Sequence, residues 1–123
     1  MAGYRDLLVW QSAMEIAEET YRLTEHLPRS EMFGLTSQLR RAAISIPSNI
    51  AEGHGRNSPK EFNHFLGIAL GSLCELETQL LLGIRLKYFA EADLLYLLKI
   101  SSEAAKMLHG LKKSLTQKLT TTD

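Results

Sequence analysis

Apolar residues recur along this chain every three or four positions, and no stretch shows the alternation of two that a half-buried strand requires. Leu35, Leu39, Ala42, Ile46 and Ile50 mark one apolar helical face, while Ser37, Arg41, Ser45, Ser48 and Glu52 repeat at the same spacing on another. Val9, Trp10, Ala13, Met14, Ile16, Ala17, Leu23 and Leu27 form a broad stripe opposite Gln11, Ser12, Glu15, Glu18, Glu19 and Arg22. The pattern predicts four helices over about 7–27, 30–54, 59–87 and 91–119. Asp6 is the expected N-cap of the first, and Pro28 ends it. Gly53 or Gly55 would supply a left-handed residue closing the second. Ser58-Pro59-Lys60-Glu61 opens the third, with a capping serine, a proline at the first helical position and a glutamate completing a capping box. Tyr88, Phe89 and Ala90 form the last turn. Short connections between long helices favour antiparallel neighbours, so the expected fold is all-α, an up-down-up-down four-helix bundle in one domain.

Two features exceed what a small bundle needs. Pro47 sits inside the second helix, where it deletes a backbone hydrogen bond and crowds the carbonyl of Ala43, at a cost of about 3 kcal/mol in an ordinary helix interior. Nearby Ser45, Ser48 and Asn49 are the expected compensation, binding released carbonyls. Leucine is also in surplus. Leu80, Leu81 and Leu82 are consecutive, and Leu94, Leu95, Leu97 and Leu98 crowd the fourth segment, so that they cannot all point inward. Leu81, Leu82, Leu94 and Leu97 are therefore candidates for a subunit interface, and a homo-oligomer is expected. Gly67, Gly71, Cys74 and Thr78 make a ridge of small side chains on the third helix that a neighbouring backbone could approach.

Composition narrows the class. Hydrophobic residues make up 45% and charged residues 23% of the 123, which fits a folded soluble domain and excludes disorder. Lys+Arg and Asp+Glu are equal at 14 each, so there is no global attraction to nucleic acid or to an anionic membrane. The balance conceals a pattern. Residues 1–27 carry two basic and five acidic side chains, 28–60 five and two, 61–98 two and five, and 99–123 five and two, so the segments alternate between −3 and +3. Alternating helices would attract their neighbours, within one subunit or between subunits. The opening Met-Ala-Gly-Tyr-Arg-Asp lacks the basic and then apolar run of a signal peptide, and Glu75 and Glu77 break the longest uncharged stretch, so a cytoplasmic location without a membrane span is expected. The lone Cys74, beside Leu73 and Leu76, reads as a buried reduced thiol.

Catalytic signals are poor. Glu61 and His64 make one Glu-x-x-His pair, but carboxylate-bridged metal chemistry needs a second pair and further inward glutamates. Gly53-His54-Gly55 lacks the strand and third glycine of a nucleotide loop. His26 and His109 have no identifiable Ser, Cys or Asp partners. No enzyme activity, metal or cofactor is expected.

Several blocks together are diagnostic: Asp6-Leu7, Trp10-Gln11 and Ala13; Gly34-Leu35; Gln38-Leu39-Arg40-Arg41-Ala42-Ala43; Ser45 through Gly53; Arg56-Asn57-Ser58; Ala69, Gly71-Ser72 and Glu75-Leu76-Glu77. In these the chain resembles the four-helix-bundle family of bacterial proteins encoded in intervening sequences of large-subunit ribosomal RNA genes, which includes relatives of the accessory variability protein of diversity-generating retroelements. The resemblance implies a non-enzymatic scaffold that assembles into a ring, a homopentamer in the better-known members. It also implies association of the retroelement relatives with reverse transcriptase and nucleic acid through a basic surface. This chain departs from those relatives in being neutral overall.

The shared block reads as a buried or interfacial polar network of Arg40, Arg41, Ser45, Pro47, Ser48, Asn49, Glu52, Glu75 and Glu77, with arginines of the second helix expected to meet glutamates of the third. RNA, DNA or a nucleic-acid enzyme is the partner in the alternative reading. His54, Arg56, Lys60 and His64 around the second turn, with Lys112, Lys113 and Lys118 near the C-terminus, would then contact phosphate, their effect multiplied around a ring.

Overall fold

The computed structural model describes residues 3–120, which are predominantly helical, with no strand among them. Helix α1 spans Leu8–Thr24, α2 Leu35–Gly55, α3 Pro59–Arg85 and α4 Leu95–Thr120, with 3-10 turns at Tyr4–Asp6, Arg29–Glu31 and Glu91–Leu94. Helix α1 packs on α2, α2 on α3 and α3 on α4, and α4 packs back on α1.

The expected boundaries shift for local reasons. Asp6 does not cap α1. It belongs to a 3-10 turn closed by the Leu7 amide on the Tyr4 carbonyl at 3.0 Å, and Leu7 then takes an extended conformation as N-cap. Helix α2 begins five residues later than the periodicity suggested, because Arg29–Glu31 forms its own turn and Gly34 is the N-cap. The start of α3 is as read: the Glu61 amide donates to Ser58 Oγ at 3.3 Å, and Pro59 occupies the first turn. The carboxylate of Glu61 does not close a capping box but lies 3.5 Å from Arg56.

Neither Gly53 nor Gly55 adopts positive φ, and both stay within α2. Asn57 takes the left-handed conformation instead, at φ 54°, as asparagine tolerates better than most residues. Beyond α3, Lys87 does the same at φ 66°. Its amide donates to the Ile84 carbonyl and that of Tyr88 to the Gly83 carbonyl, both at 2.9 Å, a paired C-terminal closure that ends α3 at Arg85.

The α2 stripe of Leu35, Leu39, Ala42, Ile46 and Ile50 is buried throughout. It joins Val9, Ala13 and Ile16 of α1, Leu66, Leu73, Leu76 and Leu80 of α3, and Leu97, Ala104, Leu108 and Leu115 of α4 in one core. Close approach is needed at Gly53, where an added Cβ would stand 2.6 Å from the Phe65 Cβ, and at Gly83, where it would stand 2.6 Å from the Phe89 ring. Most of the small-residue ridge serves no such contact inside the protomer: Gly71, Cys74 and Thr78 are exposed and a Cβ on Gly71 meets nothing within 4 Å, while half-buried Gly67 faces α4, where an added Cβ would stand 3.4 Å from Lys112 Nζ. Cys74 is thus not the buried thiol its neighbours implied, because it lies about 100° around the helix from Leu73.

Candidate functional site

The polar block of α2 divides between two neighbouring helices. Arg40 turns towards α1, not α3. Its Nε donates to Thr24 Oγ1 at 2.8 Å, its Nη2 to the Tyr21 carbonyl at 3.4 Å, and its guanidinium sits 4.5 Å from the centre of the Tyr21 ring. Thr24 is itself buried and donates to the Thr20 carbonyl at 2.8 Å, leaving its oxygen free to accept from Arg40. Arg41 is exposed.

The expected arginine–glutamate bridges between α2 and α3 do not form this way. Glu52 pairs with Arg56 at 3.1 Å, one turn further along its own helix, and Glu75 is exposed. Glu77 is half-buried, and desolvation pushes its carboxyl above the ordinary range. What joins α2 to α3 is neutral: Ser45 Oγ and Ser72 Oγ share a hydrogen bond of 2.8 Å. Asn49 Nδ2 donates to the Ser45 carbonyl at 2.8 Å and to Ser45 Oγ at 2.9 Å. The side-chain bond near Pro47 therefore falls on the Ser45 carbonyl instead of the Ala43 carbonyl that proline releases. Ser48 is exposed, whereas Pro47 is buried and lines a groove. Tyr21 and Thr24 belong to this network although neither stood among the expected polar residues: Thr24 continues the buried α1 register of Ala13, Ile16 and Thr20, exposed Tyr21 carried no signal, and Ser72 was marked only through the resemblance.

The leucine surplus is real, but only half of it lies where it was expected. Leu94 and Leu97 are fully buried, in step with Ala104, Leu108 and Leu115, so they are core and not interface. Leu81 and Leu82 are 51% and 46% exposed, and Leu95 and Tyr96 take the outward places on α4 at 63% and 50%. Helix α3 is long and apolar enough, by length and composition, to cross a membrane, yet only 28% of its most apolar window is buried. A core helix would be mostly covered. A second apolar surface runs between α1 and α2, a groove of about 370 Å³ lined by Tyr4, Trp10, Met14, Ala17, Ile44, Pro47, Ser48 and Ala51.

The basic candidates are partly committed to internal roles. Arg56 pairs with Glu52 and Glu61 and lies 5.1 Å from the Phe65 ring centre. Lys112 donates to the Asn63 carbonyl at 2.9 Å and its Oδ1 at 3.1 Å, tying α4 to α3. His54 packs edge-on to Phe62 and His64 to Phe65. Lys60 and Lys113 are exposed. Lys113 continues a row with Lys99 and Lys106, all exposed at seven-residue intervals on the outer face of α4, about 10.5 Å apart along the axis. Glu61 and His64 are both exposed, and among the described residues no group of three or more His, Cys, Asp or Glu side chains is arranged to hold a metal ion.

A family model described as 23S rRNA-intervening sequence protein matches residues 5–110. The chain is similar to a protein of unknown function from the S23 ribosomal protein family of Bacteroides thetaiotaomicron, known from its crystal structure, at 29% identity and a TM-score of 0.80. The match covers 86% of this chain and 99% of that one. No curated protein matches.

Proposed function

This chain belongs to the 23S rRNA-intervening sequence protein family, and from that premise we propose that it acts as a non-enzymatic, homo-oligomeric helical scaffold in the cytoplasm. The observation that carries the reading is the solvent side of α3, where Ile68 and Leu82 stand exposed about 40° apart and Leu81 is exposed about 100° further round. Large apolar side chains left exposed on one helix mark an interaction surface.

The bundle is up-down-up-down. This topology is supported by the three-residue link between α2 and α3 and by the order of contacts along them. Gly53 meets Phe62 and Phe65 near the link, while Ser45, further back on α2, meets Ser72, further on along α3. A ring, pentameric by resemblance, is the assembly that identical head-to-tail contacts generate when they close. Sedimentation of the purified chain tests the reading, and a monomer at micromolar concentration sinks it.

The α4 lysine row favours a second reading, in which no neighbouring subunit covers Lys99, Lys106 and Lys113 and the assembled ring presents them to RNA or DNA. That binding would be mainly to phosphate and would weaken steeply with salt. Titration with RNA and DNA at low and physiological salt tests it; no affinity at low salt rejects it.

A further inference from the structure

We propose that the groove between α1 and α2 of one copy receives the outer face of α3 from a second copy, with the incoming α4 lysine row running along the α1 glutamates. The proposal rests on the oligomeric reading above and names its contact surfaces.

The groove has an apolar floor. Trp10 and Ala17 are half-buried, Pro47 is buried, and Met14 and Ile44 remain 39% and 44% exposed along its walls. A helix fits such a trough if its facing residues are apolar and some are small enough for the axes to approach. The outer face of α3 supplies small and apolar residues, interrupted by the exposed carboxylate of Glu75. Ile68, Glu75 and Leu82 lie seven residues apart on that face, Ile68 and Leu82 exposed, with Gly71 and Thr78 between them.

Charge complementarity identifies the occupant as another copy of this chain. Exposed Glu18 on α1 and Glu25 at its C-cap stand beside Met14 and Ala17, whereas Glu15 is taken by Tyr96 of its own α4; α4, which packs beside α3, presents exposed Lys99, Lys106 and Lys113. Seating α3 in a neighbour's groove brings α4 alongside that neighbour's α1. The two rows repeat at matching intervals: Glu18 and Glu25 are seven residues apart, as are the lysines. The sequence-level alternation between −3 and +3 thus acts between subunits. Because groove and ridge are different patches of one protomer, the contact is head-to-tail and propagates until it closes.

The test combines sedimentation with far-UV circular dichroism on three full-length variants. Gly71→Trp fills the ridge at a position where an added side chain meets nothing within the protomer, so helicity and thermal unfolding of the subunit are expected to be kept while assembly is lost. Glu18→Lys with Glu25→Lys is expected to weaken assembly about tenfold at low salt, and adding Lys99→Glu with Lys106→Glu to the same chain to restore it. An oligomer that Gly71→Trp leaves intact, or a charge reversal without rescue, overturns this interface while the oligomeric reading stands. A monomeric wild-type chain overturns both.

Discussion

Tyr88 Oη donates a 2.9 Å hydrogen bond to Glu31 Oε2, joining the connection before α2 to the connection after α3 across 57 residues of sequence. The other carboxylate oxygen of Glu31 accepts from the Leu35 amide at 3.0 Å, capping the first turn of α2. One side chain therefore closes a helix and pins two loops.

The Leu35 amide, and then the Tyr88 hydroxyl, hold the Glu31 carboxyl below its ordinary value. A carboxylate lowered in the folded state contributes stability that is fully present above its unfolded value and is lost as pH falls through the folded one. Glu31→Ala should lower the midpoint of thermal unfolding at neutral pH. The gap from wild type should close on acidification below the carboxylate range, and a gap independent of pH would contradict this role.

Lys87 occupies the left-handed closing position of α3 at φ 66°, where a side chain costs about 1 kcal/mol that glycine avoids. Lys87→Gly should therefore raise stability in chemical denaturation by about that amount. A loss of stability would mean that the lysine side chain makes a compensating contact.

Ser45 and Ser72 form the polar tie between α2 and α3, and Asn49 leans on the same hydroxyl. Ser45→Ala should cost about 1–2 kcal/mol, since it leaves partners without their bond. The double change with Ser72→Ala should cost less than the two single changes added together, which a double-mutant cycle reads directly. Strict additivity would show that the pair does not interact.

Arg40 and Arg41 are adjacent in sequence and different in consequence. Arg40→Ala removes a bond to buried Thr24 and the stack on Tyr21, and should cost about 1–2 kcal/mol. Arg41 is exposed, and Arg41→Ala should leave protomer stability within about 0.5 kcal/mol. Equal effects in urea unfolding would contradict the asymmetry.

This pair also marks where legibility in the sequence ended. Periodicity located all four helices and the buried face of α2, and the Ser58-Pro59 signal located the start of α3, because those features depend on residues close in the chain. It could not say which neighbour Arg40 faces, since that depends on the side of α2 on which α1 lies. The leucine surplus was readable, but the choice of Leu94 and Leu97 was not: extending the α4 stripe through Ala104 and Leu108 would have placed both inside. Asp6 and Gly53 misled because a 3-10 turn and an asparagine took the roles assigned to them.

If another copy of the chain covers α3, the protein exists in solution as an oligomer. Sedimentation equilibrium of the wild-type protein at micromolar concentration is the most direct measurement. The expected mass is a multiple of 13.8 kDa, fivefold for a pentameric ring. A single 13.8 kDa species across the concentration range would contradict it.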